Sequence, residues 1–174
     1  MSGTVYVLDT SAVIAGFVPG LADVRQVTVQ EVLEEARDLR FKLELETAVT
    51  SGKVEIVEPS SSSLVVVEEK VKETGDKLSP TDVKLLALAL DLSNAGEEPR
   101  LVTDDYAIQN LASLLGLSYE KVLMPGITEI LKWEMRCPAC GRTYPPSASR
   151  CGVCGSNLIR KPRRKSRRLC KDSH

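Results

Sequence analysis

The sequence predicts an α/β fold, in which a parallel sheet covered by helices precedes a small cysteine-rich module. Short apolar segments alternate with helical patterns over about the first 120 residues, an order typical of β-α-β units. The apolar fraction of 43% is sufficient for a core, whereas all five cysteines lie within residues 137–170. The chain is therefore expected to divide into one medium-sized domain and one small module.

Charge is distributed unevenly along the chain. Residues 136–174 contain 11 Lys or Arg and one acid, whereas residues 1–135 contain 12 basic and 23 acidic residues. An acidic body with a basic C-terminal part indicates a polyanionic partner such as nucleic acid, with a merely solvated tail as the alternative. The one histidine, His174, argues against catalysis by a histidine base, and no P-loop motif occurs. No bilayer-spanning segment or signal-peptide pattern is found, so we expect no membrane partner and a cytoplasmic location.

The first element is a strand that ends in an acid. Residues 5–8 are an apolar run typical of a buried parallel strand, and Asp9 follows it directly. Thr10 and Ser11 can begin a helix at once, and we expect that helix to reach Phe17. Asp9 is thus predicted to lie at the carboxyl edge of the sheet, where ligands gather in open α/β folds. Capping of the helix is the alternative role.

The next strand and helix carry two more acids. We expect a strand at residues 24–27 and then a capping box, with Thr28 as N-cap and Glu31 three residues later. The helix is expected to continue to Leu39, which places Glu35 one turn beyond Glu31 on the same face. Because Glu31 has a structural role available, Glu35 is the better site candidate, with a solvated surface acid as the alternative.

The clearest helix in the chain begins at Pro80. Ser79 suits the N-cap, Pro80 the first helical position and Asp82 the third, and an apolar run follows. A structural role for Asp82, as the acid of a capping box, is the alternative to a role in a site. Upstream, two helices and the strand between them are expected at residues 38–50, 64–73 and 54–57.

A later strand repeats the pattern of the first. Residues 100–103 are expected to form a strand, with Asp104 and Asp105 directly after it and a helix at residues 106–115. The last strand is expected at residues 117–123. Parallel strands bring these acids to the same sheet edge as the acids described above.

Several carboxylates that lie close together cannot all stay ionised without a counter-charge. The usual counter-charge is a hard divalent cation, Mg²⁺ or Mn²⁺, held by oxygen ligands. One or two such ions can support displacement at a phosphodiester, and the scarcity of histidine leaves the proton chemistry to the metal.

Two C-x-x-C-G knuckles lie in the C-terminal module. Cys137 pairs with Cys140 in one knuckle, and Cys151 pairs with Cys154 in the other. Four thiolates at this spacing predict one structural Zn²⁺ in a closed tetrahedral site, with two disulfides as the alternative. Cys170 has no assigned role.

The segments on either side of the knuckles are of different character. Residues 127–135, which include Trp133, are expected to form a short connecting helix. The basic segment has no interleaved aromatic residues, so we expect phosphate contacts rather than base stacking. The residues expected to bind RNA are Arg160, Lys161, Arg163, Arg164, Lys165, Arg167 and Arg168.

The acidic positions resemble those of PIN-domain nucleases, and the order of the modules is similar to that of the short archaeal Nin-one-binding (Nob) endonucleases. Residues 78–82 (LSPTD) and 103–110 (TDDYAIQN) are the most specific matches. The resemblance spans about residues 4–160. It implies a metal-dependent endoribonuclease that trims the 3′ end of precursor small-subunit rRNA, with the precursor of the small ribosomal subunit as partner.

The resemblance also implies roles for individual residues and a division into domains. Asp9, Glu35, Asp82 and Asp105 would bind the Mg²⁺ or Mn²⁺, Asp104 stays open as a further catalytic acid, and Glu31 is the alternative to Glu35. The implied divisions are a PIN-like domain at 1–123, a linker at 124–135, a zinc ribbon at 136–160 and a flexible basic tail at 161–174.

Other functions compete with this one. A toxin-type PIN ribonuclease is disfavoured by the zinc ribbon, because such toxins are expected to match only about the first 125 residues. A non-catalytic RNA-binding assembly factor is disfavoured by the intact acids. A zinc-ribbon adaptor whose α/β domain binds a small ligand is disfavoured by the lack of glycine-rich phosphate loops. The oligomeric state stays open.

Overall fold

The centre of the N-terminal part is a five-stranded sheet in which every neighbouring pair of strands is parallel. The computed structural model describes residues 3–14, 17, 19–20, 23–122 and 132–163. The strands are, in chain order, β1 (Thr4–Leu8), β2 (Arg25–Thr28), β3 (Val54–Ile56), β4 (Glu98–Val102) and β5 (Ser118–Glu120). Across the sheet their order is β3–β2–β1–β4–β5, so β1 is central. The predicted α/β fold with a parallel sheet is confirmed.

Helices connect these strands and supply the rest of the core. Within the described residues they are α1 (Thr10–Ile14), α2 (Gln30–Glu35), α3 (Leu39–Thr50), α4 (Ser61–Thr74), α5 (Pro80–Asn94) and α6 (Tyr106–Leu115). As its apolar sequence predicts, α5 is the most buried, and Leu85, Leu86 and Leu88 are inaccessible to solvent. Each such side chain contributes about 1.5–3 kcal/mol through burial, which makes α5 a rigid support. None of the helices in the described part is long and apolar enough to cross a membrane.

Register between the central strands brings two acidic strand ends together. Leu8 of β1 pairs with Val102 of β4, and the Asp9 amide donates to the Val102 carbonyl at 3.2 Å. Asp9 and Thr103 are therefore neighbours at the carboxyl edge. The pairing of β1 with β4 supplies the parallel strands on which the expected convergence of acids depends.

The predicted capping box at α2 is wrong. Thr28 is the last residue of β2, and its hydroxyl donates to the Leu8 carbonyl at 2.9 Å. Val29 is the N-cap of α2 and makes no side-chain cap hydrogen bond. The helix also ends at Glu35 instead of continuing to Leu39, because Asp38 caps a new helix by accepting from the Phe41 amide at 3.0 Å. Sheet pairing and a second cap thus outweigh the local pattern.

The C-terminal module is a three-stranded antiparallel sheet in the order β7–β6–β8. Its strands are β6 (Lys132–Arg136), β7 (Thr143–Tyr144) and β8 (Ile159–Arg163). Trp133 lies in β6, so the predicted helix is wrong at residues 132–135; residues 127–131 lie outside the described part. Pairing with β8, about 30 residues away, imposes the extended backbone. β8 runs across the boundary expected between ribbon and tail at 160/161.

Candidate active site

Asp9 is held by hydroxyl groups from both of the central strand ends. Its side chain is buried, and Oδ2 accepts from Ser11 Oγ at 2.5 Å and from Thr103 Oγ1 at 2.8 Å. Burial raises the pKa of Asp9, and the negative charge of Asp82 raises it further, while the two hydroxyls act against this. The Asp9 carboxylate is therefore held in one orientation by hydroxyl groups, and no salt bridge to it occurs among the residues that the structure describes.

Asp82 approaches the same edge from the first turn of α5. The capping box predicted there is present: the Ser79 amide donates to Asp82 Oδ2 at 2.8 Å, and the Asp82 amide donates to Ser79 Oγ at 3.2 Å. Burial raises the pKa of Asp82, the bonds to Ser79 lower it, and the charges of Asp105 and Glu35 raise it again. The capping and site roles of Asp82 are thus compatible.

Glu35 and Glu31 have different partners, although both lie on α2. Glu35 Oε1 accepts from the Thr81 hydroxyl at 2.5 Å, which ties the end of α2 to the start of α5 beside Asp82. Glu31 instead forms an ion pair with Lys84, which also binds Glu58 at 2.9 Å. The structural role expected for Glu31 therefore exists, but it is an ion pair between helices and not a helix cap.

The two consecutive acids after β4 are also distinguished by their contacts. Asp105 is the N-cap of α6, where Oδ1 accepts from the amides of Ala107 at 2.7 Å and Ile108 at 3.3 Å. Its charge acts on Asp82. Asp104 Oδ1 accepts from the Val122 amide at 2.9 Å, beyond β5. Asp105 thus belongs with Asp9, Glu35 and Asp82 to one acidic group, whereas Asp104 holds the segment after β5 at the edge of the sheet.

The side chains that orient these acids were not predicted as site residues. Thr103 Oγ1 donates to Asp9 and accepts from the Asp105 amide at 3.0 Å, so one hydroxyl links two acids. Ser11 and Thr81 serve Asp9 and Glu35 in the same way. A Thr directly before the acids at a strand end is the sequence signal that could have identified Thr103.

A cavity of about 560 Å³ opens beside the acidic group. Glu35 is the one proposed site acid among its lining residues, which also include Thr10, two arginines and two further acids: Arg37, Arg40, Asp38 and Glu44. Its volume falls in the range of small-ligand sites, about 300–1,000 Å³.

The four cysteines of the knuckles form a compact cluster. Their Sγ atoms all lie within 4.8 Å of one another, so they can hold a zinc ion; in the part of the chain that the structure describes, no comparable group of three or more ligands occurs. The Tyr144 hydroxyl, 3.1 Å from the sulfur of Cys151, and the backbone amides of Cys154 and Val153 together lower the pKa of that thiol to about 5. A thiolate is the form that binds metals.

The carboxylates are spaced more loosely than the cysteines but suit a different ion. They offer hard oxygen ligands, and burial, with a smaller effect of the neighbouring acids, raises the pKa values of Asp9 and Asp82. A divalent cation fits both features.

The predicted RNA-binding residues fall into two groups. Arg160, Lys161 and Arg163 lie in β8, and Lys161 and Arg163 are exposed. Arg160 donates to the Gly75 carbonyl and is engaged within the protein. The others lie outside the described residues: Arg164, Lys165, Arg167 and Arg168.

Comparison with known proteins identifies similar chains. A family model described as PIN domain of ribonuclease matches residues 6–92. The chain is 40% identical to Endoribonuclease Nob1 of Methanothermobacter thermautotrophicus, over 91% of this chain and 93% of that protein. It is 41% identical to Endoribonuclease Nob1 of Archaeoglobus fulgidus, over 89% of each chain. Ribonuclease VapC1 of Thermoplasma acidophilum is 34% identical over 91% of this chain and 78% of its own length. Ribonuclease VapC3 of Aeropyrum pernix, in contrast, is 39% identical over 122 residues, or 69% of this chain and 87% of its own length.

Proposed function

Because this chain belongs to the Nob1 family of endoribonucleases, we propose that it cuts precursor small-subunit rRNA to mature its 3′ end. The reaction is hydrolysis of a phosphodiester and requires one or two divalent cations, Mg²⁺ or Mn²⁺. The partner is the precursor of the small ribosomal subunit, and the place of action is the cytoplasm.

The grouping of acids favours a nuclease over a non-catalytic RNA-binding protein. Three carboxylates from other elements, those of Asp9, Glu35 and Asp105, lie close enough to Asp82 to interact with its charge, and burial together with these charges raises the pKa values of Asp9 and Asp82. A set of acids that served only as helix caps would not need to share one place. The concentration of negative charge is what a cation-dependent phosphodiesterase requires and what a passive RNA-binding surface would avoid.

Each acid is proposed to hold the cation through a carboxylate that the fold has already oriented. Asp9 is held by two hydroxyls, Asp82 by its capping box, Asp105 by the first turn of α6 and Glu35 by Thr81. A bound cation supplies positive charge to the phosphate oxygens and makes a water molecule more acidic. The rigid hydrogen bonds reduce the rearrangement that binding the cation and the phosphate requires.

The ribbon is proposed to hold one structural Zn²⁺ and to bind RNA. Residues 132–163 contain seven Lys or Arg and one acid, which can offset the repulsion between RNA and the acidic site. In the described part of the module, the buried core consists of Cys137, Cys151 and Leu158, with three partly buried residues packed against it, so metal binding must supply much of the folding free energy. The cavity beside Glu35 is large enough to receive part of the RNA next to the cut phosphate.

A cleavage assay tests the proposal. Full-length protein is incubated with an RNA that spans the 3′ end of small-subunit rRNA, with Mg²⁺, with Mn²⁺ or with a chelator. We expect cation-dependent cutting at one position, reduced about 100-fold or more by Asp9→Asn because the carboxylate charge is lost. Affinity for the RNA should change little.

Glu98→Gln is the control, since Glu98 is exposed and begins β4 at the opposite edge of the sheet. It should cut at the wild-type rate. Tight RNA binding without cutting under any condition would contradict the proposal and favour an assembly factor. Cutting of many unrelated RNAs with no preference for the rRNA end would favour a toxin-type ribonuclease.

A further inference from the structure

A buried carboxylate joins the zinc ribbon to the nuclease domain. Asp76 lies between α4 and α5 and is only 9% exposed. Its Oδ2 accepts from Asn110 Nδ2 of α6 at 2.9 Å, and its Oδ1 accepts from Trp133 Nε1 of β6 at 2.9 Å. Each oxygen thus has a donor from a different part of the molecule, and loss of the Trp133 donor would leave a buried acceptor without its partner.

The residue before Asp76 brings the two backbones into close contact. Gly75 ends α4 in the left-handed conformation, with φ of 72°, and its carbonyl accepts from the Arg160 guanidinium. That guanidinium lies 3.9 Å from the centre of the Trp133 ring, a cation–π arrangement. A Cβ at position 75 would lie 2.6 Å from Pro146 Cβ and 3.0 Å from Trp133 Cβ, so glycine is required by space as well as by φ.

The docking contact, defined as Gly75, Asp76, Trp133 and Arg160, is connected to the acidic site by short stretches of chain. Three residues after Asp76, Ser79 caps α5 and fixes Asp82. On α6, Asn110 lies little more than one turn after the Asp105 cap. The ribbon is therefore fastened to the C-terminal end of α4 and to the segment between α4 and α5, and Asp76 extends the contact to Asn110 of α6. The next helix, α5, carries Asp82, and α6 is capped by Asp105; both acids are proposed cation ligands.

We infer that Asp76 and Trp133 are positioning residues, which set the place of the ribbon-bound RNA relative to the cutting site. This inference rests on the proposed function. Because Arg160 is used in docking, the phosphate contacts of β8 fall to the exposed Lys161 and Arg163, which follow it directly. RNA held by these residues lies at a fixed offset from the acids, so the docked ribbon raises the effective concentration of the correct phosphate.

The test compares two RNAs with the full-length protein. The short RNA covers only the cut site, and the long RNA extends far enough to reach the ribbon. For Asp76→Ala, which removes both acceptor oxygens, and for Trp133→Phe, we expect kcat on the short RNA within about twofold of wild type. On the long RNA we expect KM to rise about tenfold and cuts to appear at neighbouring positions. Trp133→Phe keeps a ring for packing but lacks the N–H donor.

Asp23→Asn, which removes an exposed acid before β2, is the matched control and should match wild type on both RNAs. Trp133 is the only tryptophan, so its emission reports docking in Asp76→Ala, and circular dichroism verifies the fold. Lost docking with unchanged KM and cut position on the long RNA would overturn the inference. An equal fall of kcat on both RNAs would also overturn it, because the effect would then lie at Asp82.

Failure of the proposed function would look different. The wild type would then cut neither RNA, and the comparison would be made on binding. A long RNA that still binds about tenfold more weakly to Asp76→Ala, with the short RNA unaffected, would support docking as a positioning device for RNA. Equal affinities would overturn it.

Discussion

Thr103→Val should weaken both the fold and the activity through one hydroxyl group. Thr103 is fully buried, and its Oγ1 donates to Asp9 Oδ2 at 2.8 Å while accepting from the Asp105 amide at 3.0 Å. Valine has nearly the same shape but carries no hydroxyl. The substitution therefore leaves the packing intact, takes one donor from a buried carboxylate and leaves the Asp105 amide without that acceptor.

The expected magnitude follows from these two bonds. A hydrogen bond to a charged group is worth about 1.5–3 kcal/mol, and an unsatisfied buried amide costs about 1–3 kcal/mol. Allowing for relaxation, the free energy of unfolding should fall by about 2–4 kcal/mol, which lowers Tm by roughly 5–15 °C in a chain of this size. Because Asp9 loses its orientation, kcat/KM should fall about 10–100-fold.

The pH dependence supplies a second measurement. The Thr103 hydroxyl lowers the pKa of Asp9, which burial raises, so its removal should raise that pKa further. Activity that needs the ionised carboxylate should then be lost at a higher pH than in wild type. Single-turnover cleavage between pH 4 and 8 and thermal unfolding measure both effects.

The control is Thr47→Val, which removes a hydroxyl bonded to the Leu43 carbonyl on the exposed side of α3. It should change Tm by only a few degrees and leave cleavage unaltered. Thr103→Ser should recover most of the rate, because it restores the hydroxyl. A Thr103→Val protein with the wild-type rate and the wild-type acid limb would refute the orientation of Asp9 by this residue.

Three further predictions concern the acids and the ribbon. Glu35→Gln should lower kcat about 10–100-fold, whereas Glu31→Gln should leave kcat unchanged and reduce the free energy of unfolding by about 1 kcal/mol. Cleavage kinetics and denaturant titration measure the two effects, and equal losses of kcat in both variants would contradict this prediction. Because folding raises the pKa values of Asp9 and Asp82, the cation-free protein should lose stability as pH rises through those values, and Mg²⁺ should reverse the loss; a Tm series that rises with pH in chelator would contradict it. A zinc chelator should shift the Trp133 emission but leave most of the helical circular dichroism, since the parallel sheet has its own core; a joint loss of both signals would show one cooperative unit.

Local signals in the sequence were sufficient for much of this molecule. The start of α5 could be predicted because Ser79, Pro80 and Asp82 lie within one turn and form the capping box. The alternation of strands and helices predicted that Asp9 and the acids after β4 share one edge, since parallel strands leave few other arrangements.

The features that the sequence could not predict depend on distant partners. Threonine is a common N-cap residue, but the Thr28 hydroxyl donates to the Leu8 carbonyl of the neighbouring strand β1 and does not cap α2. The local sequence around Trp133 predicts a helix, but pairing with β8 makes this segment a strand. Arg160 is predicted to contact phosphate, but its guanidinium donates to the Gly75 carbonyl and stacks on the Trp133 ring. In each case the competing contact lies at least 20 residues away in sequence, where a pattern of neighbours carries no information.

The strand order β3–β2–β1–β4–β5 explains why the acids meet where they do. In chain order, β2 and β3 are added on one side of β1, and β4 and β5 are then added on its other side. The connections that leave β1 and β4 therefore diverge, and a crevice opens above the two strand ends, which is where Asp9 and Thr103 lie. This location depends on register more than on the loops. Changes of loop length at the opposite edge should be tolerated, whereas a slip of one residue between β1 and β4 would turn Asp9 to the other face of the sheet and remove the site.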